Sequence, residues 1–281
     1  MKKPIVAIMY DFDKTLSTTD MQNYSFIPAL GMKPDEFWGA TGEFSKKTEV
    51  ERILSYMYMM IKLSKEKGIK LTRKFLNECG KKIEYFPGVE NWFKRINKYG
   101  SQHDVKVEHY LLSSGTKEIV EGSSIAKEFK KIYGCEFYFD PTTQEPVWPK
   151  LAVNYTQKTQ FLFRISKGAI DLRDDSKINE KEKEHRIPYT NMIYLGDGMT
   201  DVPCMQVLKN NGGKSIAIYS KKDKTNVQKL VKEKRVNFAF TPDYREGSNL
   251  DNTVKSIIKQ IAVDSELKRK EDETFKKLSG E

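Results

Sequence analysis

The sequence predicts an α/β fold: a doubly wound parallel sheet whose first strand is followed by an all-helical insertion. Two observations carry this. Short apolar runs, "PIVAIM", "VKVEHYLL", "NMIYLGDG", "KSIAIY" and "VNFAF", alternate with segments of helical character, the pattern of a parallel sheet with crossover helices. Between residues 17 and 85 the strand signal disappears. There Val50, Ile53, Leu54, Met57 and Ile61 recur at i, i+3, i+4, i+7 and i+11, the stripe of an amphipathic helix. The expected division is therefore a Rossmann-like core of residues 1–16 plus 86–281, with an inserted α-helical cap over 17–85.

Taken in order, residues 4–10 read as a short buried strand. Residues 17–45 are mixed, with aromatics and a turn signal at "LGMKPDEF". The periodic helix follows; its run "YMYMM" reads as core rather than as a cofactor box. A second helix is expected over 72–84. "FPGV" at 86–89 breaks the chain and starts a helix with Trp92, Phe93 and Ile96 facing inward. Residues 105–112 form a strand that leads through "SSGT" into a helix. "EFYFDPTTQEPVW", 136–148, alternates around a turn and reads as a β-hairpin. A helix covers 158–166. The charged stretch 170–185 is exposed helix or loop with no assigned role. "NMIYLGDG" is a strand running into a Gly-rich turn, "DVPCMQVLKN" a helix, and "KSIAIY" and "VNFAF" are strands.

Composition narrows the class. The chain has 281 residues, 38% hydrophobic and 31% charged, which suits a globular protein with a substantial core. No run approaches the roughly 18 apolar residues of a membrane span. "MKKPIVAIM" imitates a signal peptide, but its apolar run stops at Tyr10 and Asp11 without a small-residue cleavage site. A cytoplasmic protein without a membrane partner is expected. Cys79, Cys135 and Cys204 are isolated, no C-x-x-C occurs and there are three His. That argues against a disulfide framework or a Cys/His zinc site. Any metal should be hard and held by oxygen.

The net charge is +10, which raises nucleic acid as a partner. The distribution argues against it. Between Lys46 and Lys82 there are 11 Lys/Arg and 4 Asp/Glu, whereas 167–188 has 6 of each and the tail 264–281 has 5 basic and 6 acidic residues. One basic segment is a solvated helix face or a surface that attracts small anions. The sequence does not give the oligomeric state.

In a parallel sheet, ligands bind beyond the carboxyl ends of the strands. Three predicted strands end in polar residues: Asp11-Phe12-Asp13-Lys14-Thr15, Ser113-Ser114-Gly115-Thr116, and Gly196-Asp197-Gly198-Met199-Thr200-Asp201. Singly these are a loop pair, a helix cap and a tight turn; together they make a site. If the ends meet, Asp11, Asp13, Asp197 and Asp201 repel one another. A divalent cation and a lysine would relieve this. Mg²⁺ suits one or two carboxylates plus a substrate phosphate. Lys158, at a predicted helix start, is the candidate lysine.

This set of motifs resembles the haloacid dehalogenase superfamily, specifically its phosphoserine-phosphatase-like phosphohydrolases. "DFDKT" matches the first family motif, "LLSSG" the second, Lys158 the third and "GDGMTD" the fourth, in the family's order. The helical insertion sits at the family's first cap position. The likeness covers 1–16 and 86–262 well, and the cap in type only. It implies that Asp11 is the nucleophile, forming an aspartyl-phosphate. It also implies that Asp13 protonates the leaving alcohol and then activates water. Mg²⁺ would be held by Asp11, the Asp13 carbonyl and Asp197, with Asp201 direct or through water. Ser114, Lys158 and the Gly115 amide, at a helix start, would bind the phosphoryl oxygens. "DKT" also occurs in ion-pumping P-type ATPases, but that register leaves Asp11 without a role and the chain lacks their membrane helices.

The sequence departs from the phosphoserine-specific members. Ser114 is followed by one glycine where they have two. Their cap Glu, which meets the substrate ammonium, is matched by Asp20, one methylene shorter. Their cap Arg has only Arg52 as a counterpart, a residue that reads more readily as exposed helix surface. The expected activity is a Mg²⁺-dependent phosphatase for a small phosphorylated metabolite, phosphoserine among them. A nucleotide, sugar or polyol phosphate, a phosphotransferase, a nucleic-acid end phosphatase and a catalytically silent phospho-ligand-binding protein remain open alternatives. Asp13 speaks against a mere binder, which has no need of a second carboxylate, and a helical cap speaks against long polymers.

Overall fold

The computed structural model describes residues 3–181, 185–221 and 224–279. Seven strands form one sheet: β1 (Ile5–Tyr10), β2 (Lys106–Thr116), β3 (Lys131–Phe139), β4 (Pro146–Leu151), β5 (Met192–Gly196), β6 (Lys214–Ile218) and β7 (Phe238–Phe240). Their order is β4-β3-β2-β1-β5-β6-β7. Every neighbouring pair is parallel except β3–β4, the antiparallel hairpin expected from "EFYFDPTTQEPVW". β1 is central and wholly buried from Val6 to Tyr10, which is why it reads as a continuous apolar run rather than an alternating one. The chain adds strands to one side of β1 and then to the other. The crevice beyond Tyr10 is therefore the topological switch point, where α/β folds bind ligands.

All described elements between β1 and residue 86 are helical: α1 (Phe26–Ala29), α2 (Pro34–Thr48), α3 (Arg52–Glu66) and α4 (Arg73–Gly80), besides a 3₁₀ turn at Met21–Asn23. The two crossing segments pair. The Thr18 amide donates to Glu84 O at 3.0 Å, and the Phe86 amide to Leu16 O at 3.0 Å. The core continues with α5 (Val89–Gln102), α6 (Lys117–Glu121), α7 (Gln157–Lys167), α8 (Asp175–Asn179), α9 (Val202–Asn210), α10 (Thr225–Lys232) and α11 (Asn249–Ser279). Trp92, Phe93 and Ile96 are fully buried on α5, as their spacing requires. No described helix is long and apolar enough to cross a membrane.

Several local expectations need correction. "LGMKPDEF" is more than a turn: Pro34 opens α2 and the Glu36 carboxylate accepts from the Lys33 amide at 2.8 Å, a start signal of helices. The inward face of α3 is Tyr56, Met57, Met59 and Met60, whereas Leu54 is 37% exposed. The second insertion helix ends at Gly80, short of residue 84. β2 runs on to Thr116, so α6 begins at Lys117 and Gly115 does not stand at a helix start. The polar tail is helical as far as Ser279. Of the charged stretch 170–185, α8 is a single exposed turn and a half, and residues 182–184 lie outside the described residues.

Candidate active site

The site is built where β1, β2 and β5 end side by side. Asp11 follows β1 directly, and its amide donates to Leu195 O of β5 at 2.8 Å, which fixes the carboxylate at the edge of the crevice. Lys158, in the first turn of α7, is completely buried. Its Nζ lies 2.8 Å from Asp11 Oδ1 and 2.7 Å from Asp201 Oδ1. Burial opposes the ammonium charge, but the two carboxylates outweigh it and hold the lysine protonated.

Asp201 is fully buried and has both oxygens engaged. Oδ1 accepts from Lys158 and from Tyr194 Oη at 2.6 Å, and Oδ2 from the Gly198 amide at 3.0 Å. Gly196 permits this packing, since a Cβ there would lie 2.5 Å from Asp201 Cγ. Tyr194 was hidden in the sequence because a tyrosine inside a buried strand reads as core.

Ligand oxygens of Asp11, Asp197 and Asp201 lie within 4.8 Å of one another. Burial first, and repulsion from its neighbours second, push the carboxyl of Asp11 up to about 6 and that of Asp197 up to about 8, with Lys158 partly offsetting both. Three hard oxygen donors with one lysine among them leave negative charge uncompensated. Such a donor set fits a divalent cation of the Mg²⁺ kind.

Asp13 stands half-buried on the loop after β1, and its Oδ1 accepts from the Met21 amide at 2.8 Å. Burial, then Asp20 and Asp11, raise its carboxyl well above the usual range. Opposite lies Gly115. A Cβ there would meet Met21 Cε at 2.2 Å and Asp13 Oδ2 at 3.0 Å, so the β2 end packs closely against the side chains of this loop. The Gly115 amide donates to Ser113 Oγ at 2.9 Å. Ser114 Oγ is buried without a hydrogen-bond partner, an uncommon state for a hydroxyl and one that suits a ligand's oxygen.

Of the remaining expected residues, Asp20 stays close enough to Asp13 to repel its carboxylate. Asp20 is half-buried, and its Oδ1 lies 2.9 Å from Lys14 Nζ. Arg52 is exposed at the start of α3; the residue that α3 brings to the site is Tyr56, whose hydroxyl donates to Ser114 O at 2.8 Å. A cavity of about 780 Å³ opens beside Asp197 and Lys14 over the carboxyl ends of β6 and β7, lined also by Tyr219, Asn226 and Thr241.

Solved structures of the same architecture share this arrangement of strands. A HAD-family hydrolase from Salmonella enterica serovar Typhi superposes with a TM-score of 0.57 at 17% identity, covering 86% of this chain and 69% of that one. A phosphoserine phosphatase captured as a phospho-aspartyl intermediate analogue gives 0.56 at 15% identity, covering 90% and 99%. A substrate-bound phosphoserine phosphatase gives 0.56 at 15%, covering 88% and 96%. At these identities the likeness is one of fold. A Borreliella burgdorferi protein described as "Uncharacterized protein" is 28% identical over 285 residues, 92% of this chain and 98% of that protein. The fold is that of haloacid dehalogenase family hydrolases and phosphoserine phosphatases, and the four motifs resemble theirs. The family model described as "Putative Phosphatase" matches residues 6–258, and the chain belongs to that family.

Proposed function

We propose that the chain is a Mg²⁺-dependent phosphomonoesterase that works through an aspartyl-phosphate on Asp11, with residues 17–85 as a cap over the site. The observation that carries this is the buried bridge from Asp11 through Lys158 to Asp201, set beside the unpartnered Ser114 Oγ. One strand end offers a nucleophile held by a cation, and the next offers a free donor for a phosphoryl oxygen.

An Asp11 carboxylate oxygen attacks phosphorus, and the ester oxygen leaves with the proton of Asp13. Asp13, now a carboxylate, takes a proton from water. That water's oxygen bonds to phosphorus, the acyl phosphate bond to Asp11 breaks, and inorganic phosphate departs. Ser114 Oγ donates to the phosphoryl oxygens. Lys158 holds Asp11 in place and places positive charge where negative charge develops. Asp201 acts chiefly on Lys158 and the Gly198 turn, since both its oxygens are in use. Mg²⁺, held by Asp11, Asp197 and the Asp13 carbonyl, would screen the like charges of nucleophile and phosphate.

Asp20 bears on the substrate. Its ion pair with Lys14 favours a second reading over phosphoserine: a leaving group without an ammonium, such as a sugar, polyol or nucleoside, accommodated by the cavity beside Asp197. A phosphatase screen over phosphoserine, nucleotides, sugar phosphates and polyol phosphates, with Mg²⁺ and with excess chelator, tests both readings. Hydrolysis of none of them, or full activity in chelator, would overturn the proposal.

A further inference from the structure

We propose that Tyr56, on α3 of the helical insertion, is a positioning residue that sets Ser114 for phosphate through the Ser114 backbone carbonyl. The inference rests on the phosphatase reading and adds to it a residue outside the four motifs.

The β2–β3 ladder is regular from Tyr110↔Lys131 to Leu112↔Tyr133, then shifts before Thr116↔Cys135. Residues 113–115 thus form an irregular step, and such bulges beside active sites re-aim a side chain while leaving backbone groups without ladder partners. The Ser114 carbonyl receives two substitutes. Tyr56 Oη donates from the insertion at 2.8 Å, and Cys135 Sγ from β3 at 3.2 Å. A thiol is the weaker donor, so Tyr56 is the main restraint. Burial raises the Tyr56 hydroxyl well above its usual pKa, which keeps it a donor throughout the working range.

Tyr56 is itself held. Trp38 of α2 packs edge-on against its ring at a centroid distance of 6.1 Å. Trp38 Nε1 donates to Asn23 Oδ1 at 3.0 Å. Asn23 belongs to the 3₁₀ turn whose Met21 amide donates to Asp13. One tryptophan in the insertion therefore stands behind two contacts, to Ser114 and to Asp13. The insertion therefore supplies the stronger of the two restraints on Ser114, which ties its seating to phosphate binding.

The test is a double-mutant cycle on the full chain: wild type, Tyr56→Phe, Ser114→Ala and the double variant. It measures kcat and KM on an ester the wild type hydrolyses, affinity for inorganic phosphate by calorimetry, and thermal melting. Tyr56→Phe should lower kcat/KM and phosphate affinity about tenfold, the worth of one buried hydrogen bond. In the Ser114→Ala background it should change either by less than about twofold, because coupled residues are not additive. Additive losses, or melting lowered with kinetics and phosphate affinity intact, would reduce Tyr56 to a packing residue. Should Tyr56→Phe fail to fold, Cys135→Ala removes the other donor to the same oxygen; the proposal requires a smaller loss with the same coupling to Ser114, and additivity there overturns it. A wild type that hydrolyses no ester would sink the phosphatase reading alone, and the phosphate affinities would still decide the role of Tyr56.

Discussion

Lys14 Nζ lies 2.9 Å from Asp20 Oδ1, so the carboxylate expected to read a substrate's ammonium holds a cation of its own chain. The two side chains are 51% and 28% exposed, and such a pair is worth about 0–1 kcal/mol. Its consequence is for selectivity rather than stability. Lys14→Ala should melt within a few degrees of wild type while raising kcat/KM for phosphoserine relative to glycerol phosphate. Adding Asp20→Asn should erase that gain. An unchanged ratio in Lys14→Ala would remove Asp20 from substrate reading.

The acidic cluster makes a prediction that needs no turnover. Asp197 repels Asp11 and Asp201, so Asp197→Asn should raise the melting temperature of the metal-free protein. Mg²⁺ should stabilise wild type by mass action and do little for the variant. Ca²⁺ should bind and inhibit, because its looser shell misaligns the attack. Equal stabilisation of both proteins by Mg²⁺ would place the ion elsewhere.

Glu118 on α6 gives a pH signature. Burial raises its carboxyl to about 7, with Arg73 at 3.4 Å offsetting only part of that. The folded state binds the proton more tightly than the unfolded one. The associated stability is therefore full below about 4.5 and is lost as pH rises through about 7. Glu118→Gln should flatten the fall in unfolding free energy between pH 5 and 8; a slope equal to wild type would show that Glu118 does not titrate there.

Glu108 on β2 works in the opposite sense. Burial raises its carboxyl, but a two-pronged contact from Arg186 at 2.9 and 2.7 Å, Lys130 at 2.7 Å and Tyr110 at 2.6 Å pull it far below the usual range. Its stabilisation is present above about 4.5 and is lost as pH falls. Glu108→Gln removes the buried carboxylate from cations that are themselves about a third exposed, and should cost about 1–3 kcal/mol at pH 7, read by urea unfolding. A loss under about 1 kcal/mol would mean that the network is solvated.

The core strands and their polar ends were legible because each obeys a local rule: a short apolar run, then a turn rich in Gly, Ser or Asp. Lys158 was one lysine among many until the motif order singled it out. Helix α2 was obscured by Gly39, Gly42 and a cluster of aromatics, whose burial depends on packing against α3. The far end of α11 has little apolar periodicity and is supported by surface pairs such as Lys270–Glu266, so its helicity left no clear stripe. Tyr56 and Tyr194 were invisible for a different reason. Their rings are core, as the pattern said, but their hydroxyls act on Ser114 and Asp201, and only tertiary placement shows that.

The assignment of Asp11 and Asp13 to different tasks is tested most directly by trapping the intermediate. Asp13→Asn should slow both half-reactions, about 10²–10⁴-fold for a lost general acid/base. An activated ester, whose leaving group needs no proton, should still phosphorylate it, so that phosphoenzyme accumulates. Acid quench and peptide mass spectrometry of that mixture should find one phosphoryl group on Asp11, and none in Asp11→Asn. A phosphoryl group on any other residue, or wild-type turnover with phosphate that never becomes covalent, would contradict the account.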